Sequence, residues 1–273
     1  IMAAKCAAID MNSSKFTRTF RCDFALEAFA MGINKRLLPA SEAASRSLPL
    51  IVRGMSASSK QWIYHAKDNN LPFYYIDSGY FGNQKTKKWH RITYNELQNT
   101  SKFKQRDAIR LSSQVWNWEK NVYKSFTPGS KILICPPSIK VMNFFNQPSP
   151  KLWTENIIKQ IKQYTDRPIE VRLKPSRTDR QTVKSIKHAL EDDIHCLVTY
   201  NSIAATEALM IGKPAITLGP NAAQSICETD LKNIETPKIP TESKMYSFLT
   251  HLSYCQFTVQ EMKDGLPWNF VKQ

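Results

Sequence analysis

Long apolar segments are absent from this sequence. No run of about 18 apolar residues occurs among the 273 residues, so a membrane-spanning helix is not expected. The first ten residues lack the charged flank, the apolar centre and the cleavage site of a signal peptide. The sequence therefore predicts a cytoplasmic protein without a membrane span.

Cysteine pairs at metal-ligand or redox spacing are also absent. The six cysteines are widely scattered, with no Cys-x-x-Cys pair and no neighbouring histidine at ligand spacing. We expect reduced, mostly buried thiols, and no metal site is predicted.

Acidic residues are few relative to basic ones. The sequence has 38 Lys and Arg against 23 Asp and Glu, which gives a net charge of +15. Such a charge favours a polyanionic partner, with nucleic acid first and nucleotide phosphates or acidic membrane surfaces behind it. The alternative is a diffusely basic protein, because charge alone specifies no partner.

Segments typical of strands and of helices alternate along the sequence. The predicted strands are 3–9, 48–52, 73–76, 131–135, 169–173, 196–200 and 215–218, and the predicted helices are 23–31, 58–67, 150–164, 180–190 and 203–211. A turn signal at 127–129 separates two halves. The sequence predicts an α/β fold on parallel sheets, with domains 1–126 and 127–248 and a helical tail, 249–273, that packs back on the first domain.

The sharpest local signal is a strand that leads into a helix. Strand 196–200 continues through Asn201 and Ser202 into helix 203–211, which Gly212 ends. Asn201 or Ser202 is then the N-cap at the carboxyl end of a strand, where free amides and the helix dipole favour a phosphate or carboxylate. For Ser202, capping without ligand binding is the ordinary alternative.

Two neighbouring features strengthen the functional interpretation. Gly219, Pro220 and Asn221 begin a second junction between a loop and a helix, so that two helix N-termini converge on one edge. Glu207, in the second turn of its helix, is either a solvated residue or a partner for a ribose hydroxyl.

Cations gather at the end of strand 169–173. Arg172 and Lys174 alternate along the chain and share one face, Pro175 ends the pairing, and Arg177 follows. Since an unpaired charge inside an apolar strand is costly, the pattern favours an anion clamp over a solvated edge.

A carboxylate follows strand 73–76 in the first half. Asp77 lies where an α/β sheet uses a carboxylate as a base or a sugar anchor, and Gly79 and Gly82 allow a tight turn against a ligand. An Asp-Ser-Gly turn without chemistry is the alternative. Asp10, at the end of the first strand, is the rival carboxylate.

A basic segment with aromatic residues follows. Its cations could meet phosphates and its rings could stack on exposed bases, as in proteins that hold single strands or extruded nucleotides. A solvated loop with Trp89 in the core is the alternative. The residues predicted to bind DNA are Lys85, Lys87, Lys88, Trp89, His90 and Arg91.

Two sequence blocks resemble a known family. The first is VTYNSIAATEALMIGKPAITLGPNAA, preceded by VRLKPSR and followed by Ile-x-x-Pro at 234–237, and it resembles capsule-polysaccharide-type glycosyltransferases of the GT-B fold. The second, YYIDSGYFGN…KKWHRITYN, resembles the phage-encoded branch of that group, as does the end of the chain at 259–268. This branch includes enzymes that act on hydroxymethylated bases in phage DNA.

The resemblance implies two Rossmann-like domains with a cleft between them, the first for the acceptor and the second for a nucleotide-sugar. It implies that Lys174 and Ser202 hold the donor phosphates and that Glu207 holds the nucleotide. It also implies that Asp77 or Asp10 faces the acceptor. Related sialyltransferase-like enzymes carry His-Pro where this sequence has Lys-Pro, which keeps a cation for the leaving phosphate but argues against a histidine-assisted mechanism.

Our hypothesis is the transfer of a sugar from a nucleotide-sugar, with a UDP-sugar expected, to the hydroxyl of a 5-hydroxymethyl pyrimidine in DNA. Cations and helix N-termini would replace a metal ion, so none is required. The predicted donor site is Arg172, Lys174, Arg177, Asn201, Ser202, Glu207 and Gly219, and the predicted catalytic residues are Asp77, Asp10 and Lys174. The alternatives are a cell-surface glycan transferase, a nucleotide-sugar 2-epimerase and a non-catalytic nucleic-acid-binding protein.

Overall fold

Strands and helices alternate along most of the chain, as the apolar pattern predicts. The computed structural model describes residues 3–83, 88–99, 103–175 and 185–271. The chain divides into a first unit, formed by Ile1–Leu97 and Tyr254–Gln273, and a second unit, Gln98–Ser253.

The described residues form ten strands and eleven α-helices. The strands are β1 (Cys6–Asp10), β2 (Arg36–Pro39), β3 (Leu50–Arg53), β4 (Phe73–Ser78), β5 (His90–Tyr94), β6 (Lys131–Cys135), β7 (Ile169–Val171), β8 (Ile194–Thr199), β9 (Ala215–Thr217) and β10 (Gln256–Phe257). The helices are α1 (Phe24–Met31), α2 (Glu42–Arg46), α3 (Ala57–Asp68), α4 (Ile109–Gln114), α5 (Trp118–Asn121), α6 (Ile139–Phe144), α7 (Pro150–Ile161), α8 (Ile186–Leu190), α9 (Ala204–Met210), α10 (Glu242–Ser253) and α11 (Val259–Lys263). Short 3₁₀ turns occupy Ala222–Ser225, Leu231–Asn233 and Leu266–Asn269.

The sheet of the first unit is largely antiparallel, and the prediction of a parallel sheet is wrong here. Its strand order is β10-β5-β4-β3-β1-β2, and among the described strands only β3 and β4 pair in parallel. The three predicted strands exist, but β1 runs antiparallel to β3. An alternation of strands and helices predicts which elements occur but does not determine the direction of each strand. The apolar pattern did not identify the short strand β2 or the strand β5, which contains His90, Arg91 and Thr93.

The end of the chain packs on α1 in the first unit. A side chain on Gly32 would place its Cβ only 2.0 Å from the carbonyl oxygen of Met262, so glycine is needed for this close approach. The Trp268 ring stacks on Phe29 with the centroids 4.5 Å apart, and its indole N–H donates to the Phe29 carbonyl at 3.2 Å. Residues 254–271 therefore complete the core of the first unit, while 249–253 form the last turn of α10 in the second.

The sheet of the second unit is parallel throughout its described strands, as predicted. Its order is β7-β6-β8-β9, so β7 lies on one side of β6, and β8 and β9 lie on the other side. The direction of the connections reverses between β6 and β8. In such sheets, ligands bind in the crevice at the carboxyl ends of the two strands that flank this reversal.

Residues 98–126, which the turn signal assigned to the first domain, lie in the second unit. The Arg110 and Gln114 side chains both donate to the carbonyl of Ser253, at 3.0 and 2.8 Å, and so join α4 to the end of α10. The prediction of helix 180–190 is tested only from residue 185 onward, where α8 occurs, because 176–184 lie outside the described residues.

Candidate functional site

Arg172 and Glu207 both lie on segments at the carboxyl edge of the second unit's sheet. Arg172 follows β7, and its backbone N–H donates to Ile134 of β6 at 2.9 Å. Burial raises the pKa of Glu207 to about 7, against the opposing effect of the Arg172 charge. At the end of β6, burial raises the pKa of the Cys135 thiol to about 12, and that pKa also responds to Arg172 and Glu207. Arg172 follows β7, next to β6, and Glu207 lies on the helix after β8, so their segments flank the point of reversal between β6 and β8.

Lys174 lies two residues beyond Arg172. Its side chain is exposed, and Pro175 follows it. Lys174 thus brings a second positive charge to the segment that follows β7. Arg177, the third cation of the predicted clamp, lies outside the described residues.

Ser202 caps α9. Its hydroxyl oxygen accepts a hydrogen bond from the Ala204 amide at 3.2 Å, and its carbonyl accepts one from Ala205 at 3.3 Å. These first amides of the helix are thus engaged locally, as the capping alternative requires. The hydroxyl proton of Ser202 can still be donated to a ligand. Asn201, next to it, is only 8% exposed.

Asn221 ties together the loops that follow β8 and β9. Its amide nitrogen donates to the Ser202 carbonyl at 2.9 Å, and its side-chain oxygen accepts from the Ala223 amide at 3.0 Å. The sequence analysis placed Asn221 at a junction but did not identify this link. The sequence feature that could have predicted a structural role for Asn221 is the preference of asparagine for the N-cap position.

Gly219 serves a packing contact. A Cβ at this position would lie 2.6 Å from the ring of Tyr200, which packs against Phe145 and Trp153. The Tyr200 ring fills the space that a side chain at position 219 would need. This packing accounts for a glycine at position 219 without a ligand.

Asp77 of the first unit is an ionised carboxylate in a polar network. Its oxygens accept from the Tyr75 hydroxyl at 2.8 Å and the Ser78 amide at 2.7 Å, and Arg91 lies at 3.4 Å. Burial alone would raise the pKa of Asp77, but Arg91, these hydrogen bonds and Arg53 outweigh it, and the pKa lies below its ordinary value. Since 31% of the side chain is exposed, a ligand can reach it.

Asp10 is a buried ion-pair residue. One of its oxygens contacts Arg36 at 2.7 Å and Arg46 at 3.3 Å, and the other accepts from the Asn12 amide at 3.2 Å. The hydrogen bond from Arg36 is the largest of the effects that lower the pKa of Asp10. With both oxygens engaged and 3% of its side chain exposed, Asp10 is poorly suited to take a proton from an acceptor. Of the two predicted carboxylates, Asp77 is the accessible one.

Three of the residues predicted to bind DNA are buried, which favours the alternative that this segment packs into the core. Trp89, His90 and Arg91 are 5%, 1% and 4% exposed, because His90 and Arg91 belong to β5, between β4 and β10. Arg91 donates to the Ser78 carbonyl at 3.0 Å and pairs with Asp77, so its charge is used internally. Lys88 is exposed, 5.0 Å from the Trp89 ring. The remaining two lysines, Lys85 and Lys87, lie outside the described residues.

A cluster that the sequence analysis missed surrounds Arg53 at the end of β3. Its guanidinium donates to His90 Nδ1 at 3.0 Å and lies 3.7 Å from Asp23. It also lies 5.7 Å from the centre of the Phe24 ring, which is 54% exposed. The sequence pattern that could have identified this cluster is an arginine at the carboxyl end of an apolar strand, which is the pattern that identified Arg172.

Gln256 holds the loop that follows Asp77. Its side-chain oxygen accepts from the amides of Tyr80 and Phe81 at 2.6 and 3.4 Å, and its amide nitrogen donates to the Phe81 carbonyl at 3.1 Å. A Cβ on Gly79 would lie 2.7 Å from that same oxygen. The end of the chain thus fixes the loop beside the carboxylate.

The described part of the chain has no group of three or more His, Cys, Asp or Glu residues that could hold a metal ion. Within the same ranges, we find no helix with the length and apolar character needed to cross a membrane.

Comparison with known proteins gives matches among solved structures alone. No family model matches the sequence, and no curated protein matches it. The structure of the beta Kdo 2,7 transferase of Thermosulfurimonas dismutans KpsC is similar with a TM-score of 0.52 and 10% identity, over 94% of this chain and 99% of that one. The beta Kdo 2,4 transferase of the same protein gives a TM-score of 0.45 and 13% identity, over 74% and 78%. The chain therefore has an α/β fold similar to that of a glycosyltransferase.

Proposed function

We propose that this protein is a glycosyltransferase whose second unit holds a nucleotide-sugar. The observation that carries the proposal is the position of Arg172 and Glu207 at the carboxyl edge of a parallel sheet: Arg172 follows β7, its amide donates to the Ile134 carbonyl of β6 at 2.9 Å, and Glu207 lies on the helix that follows β8. Its fold, similar to that of a sugar transferase, supports the same conclusion.

The donor's diphosphate would lie against Arg172 and Lys174. A guanidinium at the end of a strand can donate two parallel hydrogen bonds to phosphate oxygens, and the exposed ammonium adds a second positive charge. Ser202 can donate its hydroxyl proton to the same group. These contacts stabilise the charge that develops as the diphosphate leaves, so the proposed mechanism requires no metal ion.

Glu207 would bind the nucleotide's ribose. A carboxylate accepts hydrogen bonds from two adjacent hydroxyls, and the nearby Arg172 favours its charged form. Because its pKa is about 7 before a ligand binds, donor binding would favour deprotonation of Glu207. A UDP-sugar remains the donor we expect.

Asp77 would act as the base. In the reaction, the acceptor hydroxyl oxygen bonds to the anomeric carbon, the bond from that carbon to the diphosphate oxygen breaks, and the hydroxyl proton passes to the Asp77 carboxylate. The lowered pKa of Asp77 keeps it ionised at neutral pH, ready to accept a proton. Its exposed fraction leaves room for the acceptor.

We propose a cell-surface glycan as the acceptor. The similar solved structures are Kdo transferases, and the motifs resemble the capsule-polysaccharide-type enzymes. DNA that carries a 5-hydroxymethyl pyrimidine is the second candidate, because a net charge of +15 suits a polyanion. The burial of Trp89, His90 and Arg91 removes part of its support.

The test is a panel of nucleotide-sugars incubated with the protein, with oligosaccharide, with hydroxymethylated DNA or with neither. Nucleotide release is measured, and mass spectrometry identifies any glycosylated product. We expect release with one nucleotide, and its loss in Arg172→Ala but not in Lys232→Ala, an exposed control. Release by no member of the panel, or equal release by both variants, would contradict the proposal.

A further inference from the structure

An exposed aromatic ring lies beside cationic and acidic side chains in the first unit. Phe24 is the first residue of α1, yet 54% of it is exposed, whereas most of the helix is buried. The His90 ring meets it edge-on with the centroids 5.9 Å apart, and the Arg53 guanidinium lies 5.7 Å from its centre. An open ring of this kind can bind the apolar face of a sugar.

Arg53 is held in place and retains donors. Its side chain is 12% exposed, and its hydrogen bond to His90 is the one its guanidinium makes within the described residues. Asp23 lies 3.7 Å from its Nε, beyond hydrogen-bonding distance. A guanidinium has five N–H donors, so several remain for a planar anion such as a carboxylate. The fixed orientation lowers the entropic cost of binding.

The residue after Arg53 has open space beside it, and the strand that carries Asp77 is the neighbour of β3. A Cβ on Gly54, the residue after Arg53, would meet no atom within 4 Å. Arg53 pairs with Ile76, the residue before Asp77, and the Gly54 amide donates to the Ile76 carbonyl at 2.9 Å. The positive charge of Arg53 also helps to lower the pKa of Asp77. A ligand held by Phe24 and Arg53 would therefore lie near the carboxylate to which the proposed function assigns the role of base.

We infer that Phe24 and Arg53 form the acceptor subsite, in which an acidic saccharide rests a sugar ring on Phe24 and places its carboxylate on Arg53. This inference rests on the proposed function. A saccharide is favoured over an extruded base because such a base is held between two aromatic or apolar faces. The ring that meets Phe24 edge-on, His90, is 1% exposed, so it offers no second face.

The experiment compares wild type with Phe24→Ala, Arg53→Gln and Arg53→Lys. Tyr64→Ala is the matched control, since Tyr64 is another exposed ring of the first unit with a cation, Lys60, 5.8 Å away. Transfer is measured to an oligosaccharide that ends in a uronic acid and to its carboxyl-reduced form. Nucleotide release without acceptor is measured in parallel, and thermal melts establish that each variant folds.

We expect Phe24→Ala to raise the acceptor KM about tenfold for both saccharides. We expect Arg53→Gln to raise it about tenfold or more for the acidic form alone, with partial recovery in Arg53→Lys. In Tyr64→Ala, both the acceptor KM and the release without acceptor should be unchanged. An unchanged KM in Phe24→Ala, or an equal effect of Arg53→Gln on both saccharides, overturns the inference.

Two further outcomes separate this inference from the proposed function. Calorimetric titration of the uronic-acid oligosaccharide into wild type and Arg53→Gln tests the subsite without turnover, and equal or absent binding overturns the inference. If wild type binds the saccharide through Arg53 but releases no nucleotide, the proposed function fails and the subsite stands. If Phe24→Ala raises the KM for hydroxymethylated DNA while the saccharide is not a substrate, the occupant is a base and the saccharide assignment is wrong.

Discussion

The two sheets place their cations differently. In the parallel sheet of the second unit, Arg172 follows the carboxyl end of β7 and is half-buried. In the largely antiparallel sheet of the first unit, Arg91 lies within β5 and pairs with Asp77 on β4. A basic residue near a strand therefore indicates a ligand site only when the direction and extent of the strand are known.

The largest expected effect concerns the tail that completes the first unit. Gly32→Ala places a Cβ 2.0 Å from the Met262 carbonyl, so α1 and the tail must separate. We expect a loss of at least about 3 kcal/mol in the free energy of unfolding, more than the usual cost of overpacking, because the clash involves backbone. Denaturant unfolding followed by tryptophan fluorescence measures it.

Gly54→Ala is the control for that change. Gly54 has a φ of +66° but open space around it, so we expect a loss of only about 1 kcal/mol. Equal losses for the two variants would mean that the contact between α1 and the tail is not formed.

The second prediction tests the interior role of Arg91. Arg91→Gln removes the partner of Asp77 and leaves a partly buried charge, so we expect a loss of about 2 to 4 kcal/mol in the free energy of unfolding. Lys88→Ala, at an exposed position, should change it by less than about 0.5 kcal/mol. If Arg91→Gln leaves stability unchanged and weakens DNA binding, the original interpretation of this segment is restored.

The third prediction concerns acid stability in the second unit. Burial, followed by the charges of Arg106 and Lys104, lowers the pKa of His251 to about 4. The ring accepts from the Lys104 amide and donates to Asn99. The unfolded chain binds this proton at higher pH, so the stability from neutral His251 is complete above about pH 6.5 and is lost as the pH falls toward 4.

Thermal melts between pH 7 and pH 4 check this dependence in wild type and in His251→Gln. The variant should lose less stability over that interval, by up to about 3 kcal/mol. Parallel curves for the two proteins would contradict the prediction.

The smallest expected effect has the opposite sign. Burial raises the pKa of Glu207 to about 7, so its contribution to stability is present at low pH and is lost as the pH rises from about 4.5 through 7. Glu207→Gln should therefore melt at a higher temperature than wild type at pH 8 and bind nucleotide more weakly. A lower melting temperature at pH 8 would indicate a structural role for the carboxylate.

Much of the second unit could be predicted from the sequence. Strand β6 was predicted with its observed bounds. Gly212 was predicted to end the helix that is α9, and it lies two residues after Met210, with a φ of +75° that suits a residue after a helix. Apolar strands of a parallel sheet are buried on both faces, so their pattern is plain. Arg172 follows β7 and Glu207 lies on the helix after β8. Because these parallel strands have their carboxyl ends at the same edge of the sheet, the sequence could place both residues at that edge.

The first unit was harder to predict. β5 reads HRITY, and its polar residues are buried because partners from other strands satisfy them: Asp77 for Arg91 and Arg53 for His90. Partners so distant in sequence leave no local pattern. The same holds for Gln256, which lies 176 residues from the Tyr80 amide that it binds.

The central claim is that Arg172 and Glu207 form a nucleotide site. Calorimetric titration of UDP, GDP, ADP and CDP into wild type and Arg172→Ala tests it most directly. We predict that one of these diphosphates binds wild type and that Arg172→Ala weakens its binding by at least about tenfold, since a lost hydrogen bond to a charged group costs about 1.5 to 3 kcal/mol. Equal affinity in the two proteins, or no binding to wild type, would contradict the account.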